Sequence, residues 1–309
     1  MSRILITGAA GMVGRALVTE WPEASLIATD LTRGGLPDAV RFRRMDVTGP
    51  DVSRIIGEEA PDVVVHLASI VTPPPGMARE AAHAVDVTGT RNVLKACLDH
   101  GVRRLVVTSS GAAYGYHADN PVPLRESDPC RGNREFAYAD HKRQVEEMLA
   151  QARTDHRQLE QVVLRIGTVL GAGVENQITA LFHRRRILAI RGSDSPFVFI
   201  WTRDLARILK RAATDGPPGI FNVAGDGWLA VDDLARALGK PVLRLPAWLL
   251  KAALAIAHPL GLTRYGPEQV RFLQYRPVLS NARLKAEFGY VPALSSAQVF
   301  DLWKREADL

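Results

Sequence analysis

The chain has 309 residues, of which 47% are hydrophobic and 23% are charged. This composition is that of a folded globular protein, and it excludes disordered, collagen-like and fibrous repeat chains. Its two cysteines cannot build a disulfide framework or a multi-cysteine zinc site. Because the first residues run directly into a strand-like segment, without the pattern of a signal peptide, we expect a cytoplasmic protein.

The net charge of +6 comes from 39 basic and 33 acidic residues. The basic residues are scattered and are not interleaved with aromatic residues, so we expect no nucleic-acid partner. The densest basic cluster is Arg184, Arg185 and Arg186. We interpret it as a solvated surface, with an anion-binding site as the alternative. The most apolar stretch, residues 245–262, is interrupted by prolines and charged side chains and therefore predicts no membrane span.

Short apolar, β-branched runs alternate with amphipathic stretches through the first half of the chain. The runs predict strands at residues 3–7, 25–30, 40–46, 62–68, 103–109 and 161–169. The stretches predict helices at residues 12–20, 51–59, 77–100 and 134–153. Alternation of this kind, with nearly continuous apolar strands, predicts an α/β fold in which helices cover both faces of a doubly wound parallel sheet.

The alternation ends after Gly171, where prolines and short mixed elements take over. Helices are predicted there at residues 202–213, 231–238, 247–257, 281–288 and 295–306. We predict a dinucleotide-binding domain at residues 1–172, to which residues 197–225 return. Residues 173–196 and 226–309 then form a smaller, irregular and mostly helical substrate-binding lobe.

A glycine-rich turn lies between the first predicted strand and the first predicted helix. Gly8 permits the tight turn, Gly11 lets the backbone approach a pyrophosphate, and Gly14 lets the helix pack against the strand. The N–H groups and the dipole of the helix N-terminus favour phosphate. This arrangement is typical of a Rossmann dinucleotide site.

Asp30, at the end of the second predicted strand, indicates which dinucleotide is bound. A carboxylate there accepts hydrogen bonds from the ribose hydroxyls of adenosine and repels a 2′-phosphate, which predicts NAD rather than NADP. Arg33 lies close by in the sequence and leaves NADP as an alternative. Further predicted cofactor contacts follow the glycine turn and the ends of the next strands: Met12, Val13, Leu31, Asp46, Val47, Leu67, Ala68 and Ser69. No cluster of His, Cys and Asp has metal-ligand spacing, so we predict no metal.

Two segments carry candidate catalytic residues. Tyr138 and Lys142 are one helical turn apart and therefore share a helix face. A free tyrosine has a pKa of about 10, so it needs roughly 4 kcal/mol of help to act as a base near neutral pH. An ammonium about 5 Å away supplies roughly 3 kcal/mol of that help. Ser109 and Ser110, at the end of the fifth predicted strand, present hydroxyls, one of which can hold the substrate oxygen.

With these motifs in this order, the chain resembles the extended short-chain dehydrogenase/reductases, the NAD-dependent epimerase/dehydratase family. The resemblance is carried by the glycine turn, Ser110 and the Tyr138–Lys142 pair, by Asp204 and its neighbours, and by Asn281 with the C-terminal motif that follows. It implies that Tyr138 is the acid/base, that Lys142 lowers its pKa and binds the nicotinamide ribose, and that Ser110 positions the reacting oxygen. Tyr114 is then expected to be structural.

Three departures from the family pattern bear on the substrate. Thr168 and Phe197 replace an Asn and an Arg that sugar-nucleotide epimerases place against the substrate, and Asp86 replaces a usual Asn. We expect a small-molecule substrate, namely a sugar, with or without a nucleotide, or another small alcohol. The apolar segment at residues 245–254 resembles the 3β-hydroxysteroid dehydrogenase-like branch, which makes an apolar alcohol the alternative.

The resemblance leaves the outcome of hydride transfer open between a dehydrogenase and an epimerase. Dehydration is disfavoured because Gly111 and Ala112 follow Ser110 where the dehydratases have Asp-Glu. A non-catalytic NAD-binding scaffold or redox sensor is the alternative of another class, although both Tyr138 and Lys142 are present. The resemblance further implies a homodimer, formed through the helices predicted at residues 77–100 and 134–153.

Overall fold

The computed structural model describes residues 2–74, 76–174, 176–194, 196–263 and 265–309. Its strands are β1 (Ile4–Thr7), β2 (Leu26–Asp30), β3 (Arg41–Arg44), β4 (Val63–His66), β5 (Arg104–Ser110), β6 (Glu160–Ile166), β7 (Thr168–Leu170), β8 (Ile187–Ile190), β9 (Phe199–Trp201), β10 (Gly219–Val223) and β11 (Val242–Leu245). Seven of them form a sheet in the order β10-β6-β5-β4-β1-β2-β3, and every neighbouring pair is parallel.

The helices are α1 (Met12–Glu20), α2 (Asp51–Glu59), α3 (Arg79–His83), α4 (Gly89–Asp99), α5 (Ala137–Asp155), α6 (Gln177–Phe182), α7 (Thr202–Ala213), α8 (Val231–Leu238), α9 (Ala247–Ala257), α10 (Gln269–Gln274), α11 (Ala282–Ala286) and α12 (Ser296–Glu306). A π-helical turn, Ala84–Thr88, joins α3 to α4, and a short 3₁₀ turn, Gly111–Tyr114, follows β5. No helix among the described residues is long and apolar enough to cross a membrane.

Two apolar layers cover the sheet, one on each face. The central strands β1 and β4 are therefore buried on both faces. The layer on one face includes Leu17 of α1 and Leu209 of α7, and the layer on the other includes Ile56 of α2 and Leu149 of α5. The strand order reverses direction between β1 and β4, and this is where doubly wound sheets bind ligands. The predicted fold class, a doubly wound parallel α/β sheet, is confirmed.

Two elements that were predicted to be continuous are each divided in the structure. The strand predicted at residues 161–169 is interrupted at Gly167: β6 stays in the central sheet, whereas β7 pairs with β9. The amide of Gly167 donates to Val223, and the amide of Thr168 already donates to Val198, so the chain changes partner within one residue. The helix predicted at residues 77–100 is α3 and α4 with the π-helical turn between them.

Residues beyond Gly171 contain short strands as well as helices. β8 and β11 form a two-stranded parallel sheet, which lies beside an aromatic core around Phe182, Phe300 and Trp303. Sequence periodicity had predicted only helices in this part of the chain, because strands of three to five residues are too short to show an alternation. The division into two domains at residue 172 stays a prediction.

A buried ion pair attaches helix α5 to the sheet. The guanidinium of Arg165 in β6 donates to both carboxylate oxygens of Glu146 in α5, at 2.9 and 3.0 Å. The same guanidinium donates to the hydroxyl of Tyr114 at 2.8 Å and lies over its ring. Tyr114 is fully buried and its hydroxyl contacts Asn222 in β10 at 2.8 Å, which is the structural position expected for it.

We expect Arg165→Met to lower the free energy of unfolding by about 3–5 kcal/mol, because it leaves the Glu146 carboxylate buried without its partner. Urea unfolding measures this loss. The double variant Arg165→Met/Glu146→Leu should recover most of the stability. Arg103→Met, which removes the exposed Arg103–Glu160 pair, is the control and should cost less than about 1 kcal/mol. Equal losses in Arg165→Met and Arg103→Met would contradict the structural role of the buried pair.

Candidate active site

The glycine turn connects β1 to α1 at the carboxyl edge of the sheet. Gly8 has φ +67°, and a Cβ atom there would lie 2.6 Å from the backbone nitrogen of Ala68. A Cβ on Gly14 would lie 2.4 Å from the carbonyl oxygen of Ala9. Both positions therefore require glycine, as the sequence predicted. Gly11 precedes the first residue of α1 in an extended conformation, and no side chain caps the N–H groups of this helix end.

Asp30 lies at the end of β2, beside the glycine turn. Its carboxylate accepts hydrogen bonds from the backbone amides of Ala10, at 2.9 Å, and Leu31, at 2.7 Å. The first bond holds the glycine turn against β2. The carboxylate is thereby fixed at the sheet edge, in the position expected for a ribose-binding acid.

Asp46 and Val47 follow β3 along the same edge. The Asp46 carboxylate accepts from the amide and the hydroxyl of Thr48, at 2.8 and 2.7 Å, which forms a local turn. Val47 is buried, and its carbonyl accepts from Asn92 in α4 at 2.9 Å. Both residues lie on the side of β2 and β3 where the sequence predicted the adenine.

Ser110, Tyr138 and Lys142 meet at the ends of β5 and α5. Ser110 accepts from the amide of Ala112 at 3.1 Å, and its side chain lies close enough to the Tyr138 hydroxyl to lower the pKa of that group. The ammonium of Lys142 donates to the carbonyl of Thr108 at 2.8 Å and lies 5.6 Å from the centre of the Tyr138 ring. The structure therefore brings together the three residues predicted to be catalytic.

The pKa values of this group are set mainly by burial. Burial raises the pKa of Tyr138 well above its usual value, against the opposing effect of the Ser110 side chain. Burial also lowers the pKa of Lys142, although the charges of Asp86 and Glu146 favour its protonated form. The protein alone therefore keeps Tyr138 in its neutral form, in which it can donate a proton.

Sequence reasoning missed a buried polar cluster behind Lys142. The carboxylate of Asp86, in the π-helical turn, contacts His141 Nδ1 at 2.9 Å and accepts from the Ser69 hydroxyl at 2.9 Å and the Ile70 amide at 2.7 Å. Burial would raise the pKa of Asp86, but the His141 bond and the charge of Lys142 outweigh it and lower the pKa. Two signals could have revealed this cluster: His141 precedes Lys142 in the sequence, and Asp86 replaces a usual Asn.

His66 closes the other side of this cluster at the end of β4. The Thr90 hydroxyl donates to the Asp86 carbonyl, so it accepts from His66 Nε2 at 3.0 Å. Nδ1 of His66 then accepts from the Thr7 hydroxyl at 2.7 Å. This network suits a neutral imidazole. Burial, aided by the charge of Lys142, lowers the pKa of His66 to about 3.

A cavity of about 460 Å³ opens in front of Ser110 and Tyr138. Of the predicted cofactor residues, Met12, Val13, Leu67 and Ser69 line it, whereas Asp30, Asp46 and the three glycines do not. Most of its remaining walls are apolar, formed by Val71, Phe136, Ile166, Val169, Ile178, Pro196, Phe197, Val198, Phe272, Pro277 and Leu279.

Polar side chains also line the cavity. Besides the catalytic candidates they are Ser69, Thr72, Thr108, Ser109, Tyr116, Thr168, Asn176, Gln177, Gln269 and Arg276. The Arg276 guanidinium lies 3.8 Å from the centre of the Phe197 ring. Arg184, Arg185 and Arg186 are exposed and do not line this cavity. No group of three His, Cys, Asp or Glu side chains in the described ranges could hold a metal ion.

A parallel doubly wound sheet with a glycine turn, an acidic residue after β2 and a Ser-Tyr-Lys group defines a short-chain dehydrogenase-type oxidoreductase site. A model of the NAD dependent epimerase/dehydratase family matches residues 4–224. The chain therefore belongs to that family. The match confirms the predicted family and the prediction of an enzyme, and it confirms NAD as the cofactor on which the family depends.

Comparisons with individual proteins agree with this assignment. A UDP-glucose 4-epimerase of Azospirillum brasilense is 30% identical over 215 residues, which cover 62% of this chain and 60% of that protein. A decarboxylating sterol-4-alpha-carboxylate 3-dehydrogenase of Saccharomyces cerevisiae is 26% identical over 323 residues, covering 93% and 88%. The UDP-glucose 4-epimerase of Thermotoga maritima, solved with UDP-glucose, has the same fold, with a TM-score of 0.77, 20% identity and coverage of 99% and 98%.

The neutral state of His66 predicts a pH dependence of stability. Because its pKa falls from 6.5 to about 3 on folding, the unfolded chain binds a proton that the folded chain does not bind between these values. The contribution of His66 to the free energy of unfolding is at its full value above pH 6.5. It declines as the pH falls, by at most about 1.4 kcal/mol per pH unit. Urea unfolding at several pH values between 4 and 7 should show a shallower slope, by about one proton, in His66→Gln. An unchanged slope would show that His66 takes up a proton in the folded protein.

Proposed function

We propose that the chain is an NAD-dependent dehydrogenase that transfers hydride from the secondary alcohol carbon of a largely apolar substrate. The supporting observation is the apolar wall of the cavity in front of Ser110 and Tyr138. Phe197, which replaces the expected arginine, lies in that wall. An apolar wall with a few placed polar groups binds an apolar molecule and fixes its orientation.

Tyr138 takes the proton of the substrate hydroxyl, and Ser110 donates a hydrogen bond to the same oxygen. NAD, when bound, supplies the hydride acceptor and the positive charge of its nicotinamide ring. Lys142 stabilises the Tyr138 phenolate. Its ammonium lies 5.6 Å from the centre of the ring, and a unit charge at about that distance contributes about 3 kcal/mol at an effective dielectric constant of about 20. The carbonyl of Thr108, which holds the ammonium at 2.8 Å, fixes the direction from which that charge acts.

The glycine turn and Asp30 fit the dinucleotide. The close packing of Gly8 and Gly14 leaves the uncapped N-terminus of α1 open to the sheet edge, where its amides can bind the pyrophosphate. The Asp30 carboxylate binds the adenosine ribose, and Leu31, Asp46 and Val47 surround the adenine. The rest of the cofactor lies against Met12, Val13, Leu67, Ala68 and Ser69. Lys142 binds the nicotinamide ribose.

A sugar, with or without a linked nucleotide, was the first substrate class predicted from the sequence. Its nucleotide-linked form is the second candidate, and the reaction would then be an epimerisation. The positive charge of Arg276 in the cavity wall favours it, because a guanidinium suits a diphosphate. The Azospirillum brasilense relative, a UDP-glucose 4-epimerase by name, also supports it. The Saccharomyces cerevisiae sterol dehydrogenase, which aligns with nearly the whole chain, supports the apolar alcohol.

A panel of substrates distinguishes these candidates. Oxidation of bulky cyclic secondary alcohols, including 3-hydroxysteroids, should form NADH at a rate far above that with UDP-glucose or UDP-galactose. Interconversion of the two nucleotide sugars, with no oxidation of the apolar alcohols, would replace the first proposal with the second.

Two further properties belong to this proposal. We place the enzyme in the cytoplasm, which agrees with Cys97 and Cys130 being free thiols. We also propose a homodimer through α4 and α5, the helices that the family resemblance implies. The sedimentation coefficient of the purified chain tests the dimer.

Tyr138→Phe should abolish turnover and leave NAD affinity nearly intact, because the hydroxyl transfers the proton but is not needed to hold the dinucleotide. Tyr116→Phe is the matched control, since Tyr116 is a buried tyrosine of the same cavity, and it should retain turnover. Initial rates and cofactor titrations give both quantities. Substantial turnover in Tyr138→Phe would show that another residue is the base. If neither the wild type nor any variant turned over a substrate, the chain would be a non-catalytic NAD-binding scaffold.

Lys142→Met should move the rise of activity with pH to higher pH. Without the ammonium, the phenolate of Tyr138 is less stable, so its pKa increases and a higher pH is needed to form the base. The same variant should bind NAD more weakly. The pH profile of kcat/KM measures the shift, and an unshifted profile would assign Lys142 to cofactor binding alone.

Asp30→Asn should raise NADP affinity relative to NAD by roughly one order of magnitude, because it removes the repulsion between the carboxylate and the 2′-phosphate. The wild type should prefer NAD. Parallel titrations of both cofactors with both proteins test this, and tighter NADP binding by the wild type would contradict the role given to Asp30.

A further inference from the structure

Helix α9 presents an apolar face that the other described residues of the chain leave exposed. Trp248, Leu249 and Ile256 are 70%, 42% and 65% exposed. Leu260 and Leu262, in the segment that follows, are 66% and 77% exposed. Large apolar side chains at this exposure are ordinary when single, but here five lie within 15 residues of chain. Such a concentration marks an interaction surface.

The opposite face of α9 is partly buried against the protein. Leu250 and Leu254, one turn apart, pack with Ile190 of β8 and with Val270 and Leu273 of α10. Trp248, Ala252 and Ile256 follow one another at intervals of one turn and are all exposed. Trp248, Ala252 and Ile256 therefore form an apolar ridge along the helix, and Leu260 and Leu262 follow it in the next segment.

In the stretch of sequence that contains this ridge, all the lysine, arginine, aspartate and glutamate side chains are basic ones. Between Asp233 and Glu268 the sequence contains no acidic residue, while its basic residues are Arg236, Lys240, Arg244, Lys251 and Arg264. Arg236 and Arg244 pair with Asp233 and Asp232. Lys251 is exposed on α9 itself, and exposed Arg191 bonds through its amide to Leu245, just before the helix.

We propose that α9 and the segment up to Leu262 dock on the surface of a bilayer that contains anionic phospholipid. Tryptophan, leucine and isoleucine side chains enter the headgroup boundary to a depth of about 5–10 Å, and lysine and arginine beside them are attracted by anionic headgroups. With 11 residues, α9 is about 16 Å long, so it lies along the surface.

A second copy of the chain fits this surface less well. Two identical surfaces related by a twofold axis would place the basic residues of one copy against those of the other, with no acidic residues of this segment to compensate. An anionic bilayer satisfies the apolar ridge and the basic residues together.

Docking would also affect how the substrate reaches the active site. This consequence rests on the proposed function, but the docking proposal does not. Helix α10 packs against α9, and its Gln269 and Phe272 line the active-site cavity. A bilayer bound at α9 therefore lies beside one wall of that cavity. An apolar alcohol dissolved in the membrane would have a short path to Tyr138.

Flotation of the full chain with vesicles tests the docking. The wild type should float with vesicles of phosphatidylcholine and phosphatidylglycerol, at least tenfold more than with phosphatidylcholine alone, and added salt should reduce this binding. Trp248→Ser/Ile256→Ser should lower the binding at least tenfold, and Lys251→Gln should lower it severalfold. The control Val122→Ser/Val291→Ser removes two other exposed apolar side chains, 61% and 68% exposed, and should bind as the wild type does.

The surface substitutions should leave the urea midpoint and the turnover of a water-soluble substrate unchanged, which shows that the variants are folded. Three results would overturn the proposal. They are absence of flotation with anionic vesicles, equal binding to both kinds of vesicle, and a dimer of the wild type in sedimentation that Trp248→Ser/Ile256→Ser dissociates. The last result would make the ridge an interface between two copies of the chain. Failure of all apolar alcohols as substrates would leave the flotation result, and hence the docking proposal, unaffected.

Discussion

The active site depends on keeping the ammonium of Lys142 charged while it is 5% exposed. Moving an ammonium from water into a protein interior costs several kcal/mol unless opposite charge and hydrogen bonds offset it. Three elements provide the offset: Glu146 one turn later on α5, Asp86 in the π-helical turn, and the carbonyl of Thr108 in β5. The charged state of Lys142 therefore depends on the positions of all three elements.

Each compensating group is itself neutralised or held by another residue. Glu146 is paired with Arg165 of β6, and Asp86 contacts His141. His66, on the far side of the cluster, is kept neutral by burial and by the charge of Lys142, since a second cation there would oppose the first. A chain of buried polar contacts thus runs from β4 through α5 to β6, and it fixes the helix that carries Tyr138 against the strand that carries Ser110.

The sequence predicted the parts of this site that depend on local geometry. The ends of α1, α2, α7, α8 and α9 agree with the prediction to the residue, because each helix has a clear apolar period or a boundary residue such as Gly11, Pro50 or Pro246. The Tyr138–Lys142 spacing is likewise local. Contacts between distant segments could not be predicted: the Asp86–His141 pair joins residues that no periodicity relates. The break at Gly167 was missed because the apolar run continues through it.

The arrangement separates the chemistry from the recognition of substrate. The charged residues that surround the reacting atoms, Lys142, Asp86 and Glu146, lie on or beside the central sheet. Much of the cavity wall opposite them comes from segments after β7, including Phe197, Phe272 and Leu279. A change in those segments alters the shape and polarity of the cavity without disturbing the compensation of Lys142. Phe197 is an example: it stands where the family resemblance led us to expect an arginine, and its ring lies in the apolar part of the cavity wall, with the Arg276 guanidinium 3.8 Å from its centre. The proposed apolar substrate suits this part of the wall, whereas the compensation of Lys142 depends on residues behind Tyr138.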